Sequence, residues 1–194
     1  ERLCGLEAND ALMAFLTDIS GRPAPMKYRR QRGQLVDAML DGHFHIGGRK
    51  LPVGAEPDLP NEIGGLLTEM GAQLLVAVTT TQSPVLERLP TEEVLIGDLE
   101  DLENLAKAKD CDLMVTHSHG RQAASRLKIP FFRMGIPMFD RLGGGHQLMV
   151  GYRGGRDLIF DISNLLMADH EENHEPTPDS WRDGVGPSHA ATSH

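Results

Sequence analysis

KLPVGAEPDLPNEIGGLLTEMGAQLLVAVTT, residues 50–80, decides the fold class. Residues 50–53 read as a short strand, and Gly54 to Pro57 as the turn after it. Residues 58–70 read as a helix with Gly71 at its C-terminal end, where a left-handed backbone favours glycine. Residues 74–79 are an apolar, buried-type strand. The same alternation continues downstream. Strands are expected at 94–96, 112–116 and 129–133, with an acidic helix at 99–107 and a further helix at 120–127. Strand and helix alternating over this length predict an α/β fold, a three-layer α/β/α domain with a parallel sheet of four or five strands.

Upstream, residues 9–18 read as a helix that Asn9 or Asp10 can cap, with Leu12, Phe15, Leu16 and Ile19 on one face. Gly21-Arg22-Pro23 breaks it. A second helix is expected at 25–40, with Leu35, Val36, Met39 and Leu40 as its stripe and Gly42 ending it. A closing helix is expected at 152–167. The domain plan is therefore connecting helices at 1–48, the α/β domain at 49–168, and a disordered or loosely docked tail at 169–194. That tail is rich in Pro, Gly, Ser, Asp and His; its four histidines are too irregularly spaced to read as a metal motif.

The 194 residues suffice for one domain with flanking segments. Hydrophobic residues make up 40% and charged residues 24%, an ordinary globular balance. The longest apolar runs fall far short of the ~20 residues of a membrane span. The chain begins ERLCGLEAND, with neither initiator Met nor signal peptide, and reads as a piece of a longer chain. A formal net charge of -9 argues against nucleic-acid binding. Charge is uneven: residues 22–50 are basic and residues 87–112 acidic, as two solvated faces or as docking surfaces. Cys4 and Cys111 form no close pair, so a reduced, cytoplasmic setting is expected. Two thiols alone do not hold an iron–sulfur cluster, which usually takes four protein ligands.

Ligands of open parallel sheets bind beyond the carboxyl ends of the strands. Four segments are expected there. Gly54-Ala55-Glu56-Pro57-Asp58 places an acid at a helix start, as a cap or as part of a site, but lacks the three-glycine dinucleotide spacing. Thr79-Thr80-Thr81 offers hydroxyls to a ligand or simply closes its strand. His117, Ser118, His119 and Arg121 follow a strand and open a helix, where free amides favour an anion. The two histidines point to opposite sides if the strand continues, and no neighbouring acid supports a Ser–His–Asp reading. The long loop from Gly135 carries Asp140 beside Arg141, a candidate local ion pair, and ends at His146. No catalytic residue and no metal ligand is assigned; these seven polar residues are cofactor- or partner-facing candidates. The loops 116–121 and 135–146 are expected together on one sheet edge.

Three quoted segments carry a resemblance: GRPAPMKYRRQRGQLVDAMLDGHFHIGGRK at 21–50, MVTHSHGRQAASRLKIPFFRMGIPMFDRLGGGHQ at 114–147, and VGYRGGRDLIFDISNLL at 150–166. In this order and spacing they resemble the C-terminal third of beta-type chains of nitrogenase component 1. PVLERLPTEEVLIGDLEDLE, from Pro84 onward, looks like the family's cofactor-assembly branch. The resemblance implies a Rossmann-like domain, the last of three around a cleft. Alpha-type chains place a histidine directly before their Gly-Tyr motif; here Val150 precedes Gly151-Tyr152, which implies a domain that does not ligate metal.

What the resemblance further implies is a scaffold subunit on which an iron–molybdenum cofactor precursor matures. An iron–sulfur or precursor cluster would be held mainly outside this piece, and none is expected in the piece alone. The implied partners are an alpha-like scaffold subunit, in a heterotetramer, and the nitrogenase iron protein, with no nucleic acid and no membrane. The alternative is an oxidoreductase subunit proper, of nitrogenase component 1 beta type or of a light-independent protochlorophyllide reductase-like enzyme.

Overall fold

The computed structural model describes residues 2–173. Strands β1 (Lys50–Gly54), β2 (Gln73–Thr79), β3 (Val94–Ile96), β4 (Met114–Thr116) and β5 (Phe131–Arg133) form one sheet in the order β3-β2-β1-β4-β5. Every pairing is parallel. The expected α/β architecture is present, with five strands. The helices are α1 (Leu6–Ser20), α2 (Met26–Ile46), α3 (Asp58–Glu69), α4 (Leu99–Ala108), α5 (Arg121–Leu127) and α6 (Gly151–Asn173).

Side chains alternate across a strand, so each strand feeds two cores. Leu113 and Val115 join Leu51 and Val53 on one face, packed with Leu35 of α2, Ile63 and Leu66 of α3, and Leu158 and Ile162 of α6. Met114 points the other way, into a core with Val76, Val78, Leu102 and Ala106 of α4, and Ala123 and Ala124 of α5. Burial on both faces is why these strands read as apolar runs without a polar side.

Several boundaries differ from the sequence reading, each for a tertiary reason. Asn9 does not cap α1; it lies inside the helix, and its Nδ2 donates to the Gly5 and Leu3 carbonyls. The free amides at the start of α1 are met instead by Glu69 of α3, whose Oε2 accepts from Leu6 N at 2.6 Å. The expected apolar face of α1 is not core: Phe15, Leu16 and Ile19 are exposed. Gly42 does not end α2, which continues to Ile46 with Gly42 buried. Closure against α6 outweighs glycine's weak helix propensity. Helix α6 runs past residue 167 to Asn173, into the stretch expected as tail. The remainder of that expectation, residues 174–194, lies outside the described residues.

Gly42 packs directly against α6. A Cβ there would sit 2.5 Å from Ile159 Cγ2 and 2.9 Å from Ser163 Oγ. Neither Ile159 nor Ser163 is a flexible chain that swings aside. Gly42→Val is expected to destabilise the protein by about 1–3 kcal/mol through overpacking. Gly33, in the same helix with nothing within 4 Å of its virtual Cβ, provides the contrast. Gly33→Ala should stabilise by roughly 0.5–1 kcal/mol through helix propensity. Urea denaturation midpoints of the two variants test both signs at once.

Candidate functional site

The strand order reverses between β1 and β4, where the chain stops adding strands on one side and starts on the other. In such sheets the loops diverge there and leave a crevice at the carboxyl ends. Gly54 and Thr116 are paired at that point, and Thr116 Oγ1 donates to the Gly54 carbonyl at 2.5 Å. A Cβ on Gly54 would lie 2.5 Å from a Leu102 methyl, so the close approach needs glycine. Above the pair lies a small cleft of about 70 Å³. Ala55 and Glu56 after β1, Thr79 and Thr80 after β2, Gly97 and Asp98 after β3, and His117 after β4 line it, with Ile136 closing one side. Thr80 Oγ1 donates to Glu56 Oε1 at 3.2 Å. Asp98 is committed to a capping box at the start of α4. Among the first two candidate segments, then, Glu56, Thr79 and Thr80 face the cleft, whereas Asp58 opens α3.

The loops after β4 and β5 lie together on this edge, held by one carboxylate. Asp140 Oδ1 accepts from Ser118 Oγ at 2.5 Å, and its Oδ2 accepts from Arg133 Nε at 2.9 Å. Arg121 Nε approaches the same Oδ2 at 3.8 Å. Ser118 Oγ in turn accepts from Phe139 N at 3.1 Å, while Ser118 N donates to the Pro137 carbonyl at 3.1 Å. Ser118 is buried, so its hydroxyl and amide ties hold the loop across a dry contact. The Ser118 hydrogen bond, followed by the Arg133 contact, holds the Asp140 carboxyl below the usual aspartate range.

Two local readings need correction. Strand β4 stops at Thr116 and a tight 3-10 turn follows at Ser118–Gly120. His117 and His119 therefore do not diverge; their rings meet edge-on at 5.5 Å, and His119 also meets the Phe139 ring at 5.0 Å. Asp140 does not pair with Arg141. Their side chains part, and Arg141 reaches Asp161 of α6 at 4.0 Å. His146 is exposed on a 3-10 turn at Gly144–His146. The anchor that the sequence reading missed is Arg133, the last residue of β5. A cation closing an apolar strand and followed by a loop bearing an aspartate was the available signal.

Both cysteines are free and buried. Burial pushes the Cys4 thiol up to about 12 and the Cys111 thiol to about 11, so both stay protonated. They also belong to different cores, on opposite faces of the sheet. Burial lowers the basicity of His117, with His119 adding to the effect, and its Nδ1 is buried with no partner among the described residues. Val150, just before α6, has no donor atom. Among the described residues no group of three His, Cys, Asp or Glu side chains is placed to hold a metal ion.

The Asp140 tie has a definite pH signature. A carboxyl with a lowered folded value contributes stability above its ordinary value, near 3.8, and loses it as pH falls through the folded value. Amide protection over residues 135–146 is thus expected to persist to pH 3.8 and to collapse only below it. Asp140→Asn should reduce that protection already at neutral pH and remove the acid step. Hydrogen-exchange protection factors, referenced to β2, are the measurement.

A family model described as "Nitrogenase component 1 type Oxidoreductase" matches residues 1–167. Nitrogenase iron-molybdenum cofactor biosynthesis protein NifN of Bradyrhizobium diazoefficiens is 67% identical over 190 residues, covering 97% of this chain and 40% of that protein. The protein of the same name from Rippkaea orientalis is 48% identical, covering 89% and 39%. A solved structure titled "Nitrogenase Cp1 at pH 6.5" superposes with a TM-score of 0.83 at 26% identity, over 89% of this chain and 40% of that one. The chain spans about two fifths of the length of the curated relatives it matches. With the family match running from the first residue through most of α6, the chain belongs to the nitrogenase component 1 type oxidoreductases.

Proposed function

We propose that this chain is part of a scaffold subunit on which the precursor of the nitrogenase iron-molybdenum cofactor is matured for nitrogen fixation. The observation that carries this reading is the 67% identity, over 97% of the chain, to a protein named for that cofactor's biosynthesis. The precursor is cargo, and its metal-binding groups come from elsewhere in the assembly. Two protonated, separated thiols and a valine before Gly151-Tyr152 support a domain that shapes the complex without ligating the cluster. The chain works in a complex with an alpha-like scaffold subunit, NifE, and electrons reach that complex from the nitrogenase iron protein.

Within the reading, the loops after β4 and β5 face the cleft or that partner. The Asp140 tie fixes their backbone, which leaves His119, Arg121, Arg141 and His146 exposed on a preorganised edge. Preorganised side chains lose little conformational freedom on docking. His117, half-buried, and Ser118, buried, serve beneath that surface.

In the full-length protein, His119→Ala combined with Arg141→Ala is expected to weaken co-purification of the partner subunit or retention of the precursor about five-fold or more, as for interface residues each costing roughly 1 kcal/mol. Thermal stability should shift little, since exposed polar changes usually fall within about 0.5 kcal/mol. Unchanged assembly and unchanged cofactor maturation would remove these loops from the function.

A further inference from the structure

A mostly apolar groove, sharing no lining residue with the sheet-edge cleft, lies beside the N-terminal helices. It holds about 600 Å³ between α1, the 22–25 link, the first turn of α2 and the start of α6. Its α1 wall is a stripe of Leu12, Met13, Leu16 and Ser20, at the spacing of a single helix face. Tyr28 and Val150 form the opposite side. The apolar surface does not stop at the groove, because exposed Phe15 and Met26 line two cavities that share residues with it. A small molecule occupying the groove would leave that flank wet. A surface this broad fits a macromolecular partner.

Charge then selects the partner. The charged residues lining the groove are Arg22, Lys27 and Arg153, and an adjoining cavity adds Arg30 and Arg156. No acid lines either cavity, although the whole chain carries 28 acidic against 19 basic residues. Arg156 is paired with Asp157. Arg22, Lys27, Arg30 and Arg153 make no ion pair among the described residues. Nearby Arg32 is neutralised by Asp10 at 2.7 Å. Unpaired positive charge around an apolar trough is the complement of a helix with an apolar stripe and acidic flanks. The length of the α1 stripe, from Leu12 to Ser20, matches about two to three turns of such a helix.

We propose that this groove is a docking site for an acidic amphipathic helix of another protein chain. The apolar stripe of the guest seats between Leu16 and Tyr28, and its carboxylates meet Lys27, Arg30 and Arg153. The site is separate from the sheet-edge loops and does not depend on the scaffold reading.

The test titrates a labelled synthetic helix of about 18 residues, with Leu at helical spacing and flanking Glu, into the full-length assembled protein, read by fluorescence anisotropy. A peptide with Lys in place of every Glu is the control. Saturable binding of the Glu peptide is expected, with the Lys peptide at least about ten-fold weaker. Leu16→Glu and the double variant Lys27→Glu/Arg153→Glu should each weaken the Glu peptide by about ten-fold, at unchanged melting temperature. All three positions are exposed, so neither variant is expected to unfold the chain. Raising salt should reduce the effect of the charge variant more than that of Leu16→Glu. Equal binding of the two peptides, or indifference to the variants, overturns the proposal. So does absence of binding, which would mean the groove is already filled in the assembled protein. Concentration-dependent self-association abolished by Leu16→Glu overturns it as well, because the occupant would then be a second copy of the chain.

Discussion

A sheet whose strands all run in one direction imposes a condition on everything around it. After each strand the chain must return across a face before it can add the next, and the return paths bury both faces. The condition explains the two separate apolar cores and the continuous apolar character of β2 and β4. It also collects every strand's exit at one edge. Glu56, Thr80, Asp98 and His117 come from four different strands and share a cleft because of it. Strand order supplies the rest. With β1 and β4 side by side but far apart in sequence, the exits part in opposite directions and leave the crevice open.

The edge is made rigid by a short polar network. The Asp140 carboxylate joins Ser118 from one loop to Arg133 from the neighbouring strand. Removing the carboxylate would leave the buried Ser118 hydroxyl without its acceptor, which costs more than losing a surface contact. Polar groups that in isolation suggest reactivity, a serine against an aspartate with histidines beside them, are here occupied in holding backbone. The two histidine rings meet edge-on and His119 meets Phe139, while the Ser118 hydroxyl is bonded to Asp140 and Phe139 N.

The central alternation was legible because short apolar runs alternate with helical stretches bounded by turn residues between residues 50 and 133. Helix starts and stops were less so. Glu69 caps α1 from a position 63 residues later, and no local pattern announces that. Gly42 reads as a stop, and it becomes a packing site only once Ile159 is known to lie against it. The stripe on α1 was correctly periodic but faces outward, since periodicity reports a face and not what covers it. At the candidate site, the residue types and their shared edge were foreseeable from strand order. The partners were not: Asp140 chose Arg133 and Ser118 over its neighbour Arg141, a choice fixed by loop geometry that only the folded chain displays.

The intimate seam between α2 and α6 has a consequence for how the chain is made. The two helices lie more than about a hundred residues apart, yet Leu35, Ala38, Ile46, Leu158 and Ile162 share one interior. A ribosome adding about 5–20 residues per second leaves α2's inner face uncovered for several seconds or longer before α6 emerges. Late in that interval the sheet has one roof complete, from α4 and α5, and the other half-laid. The nascent chain at that stage carries the apolar face of α2 uncovered, and the exposure ends only when α6 drops into place.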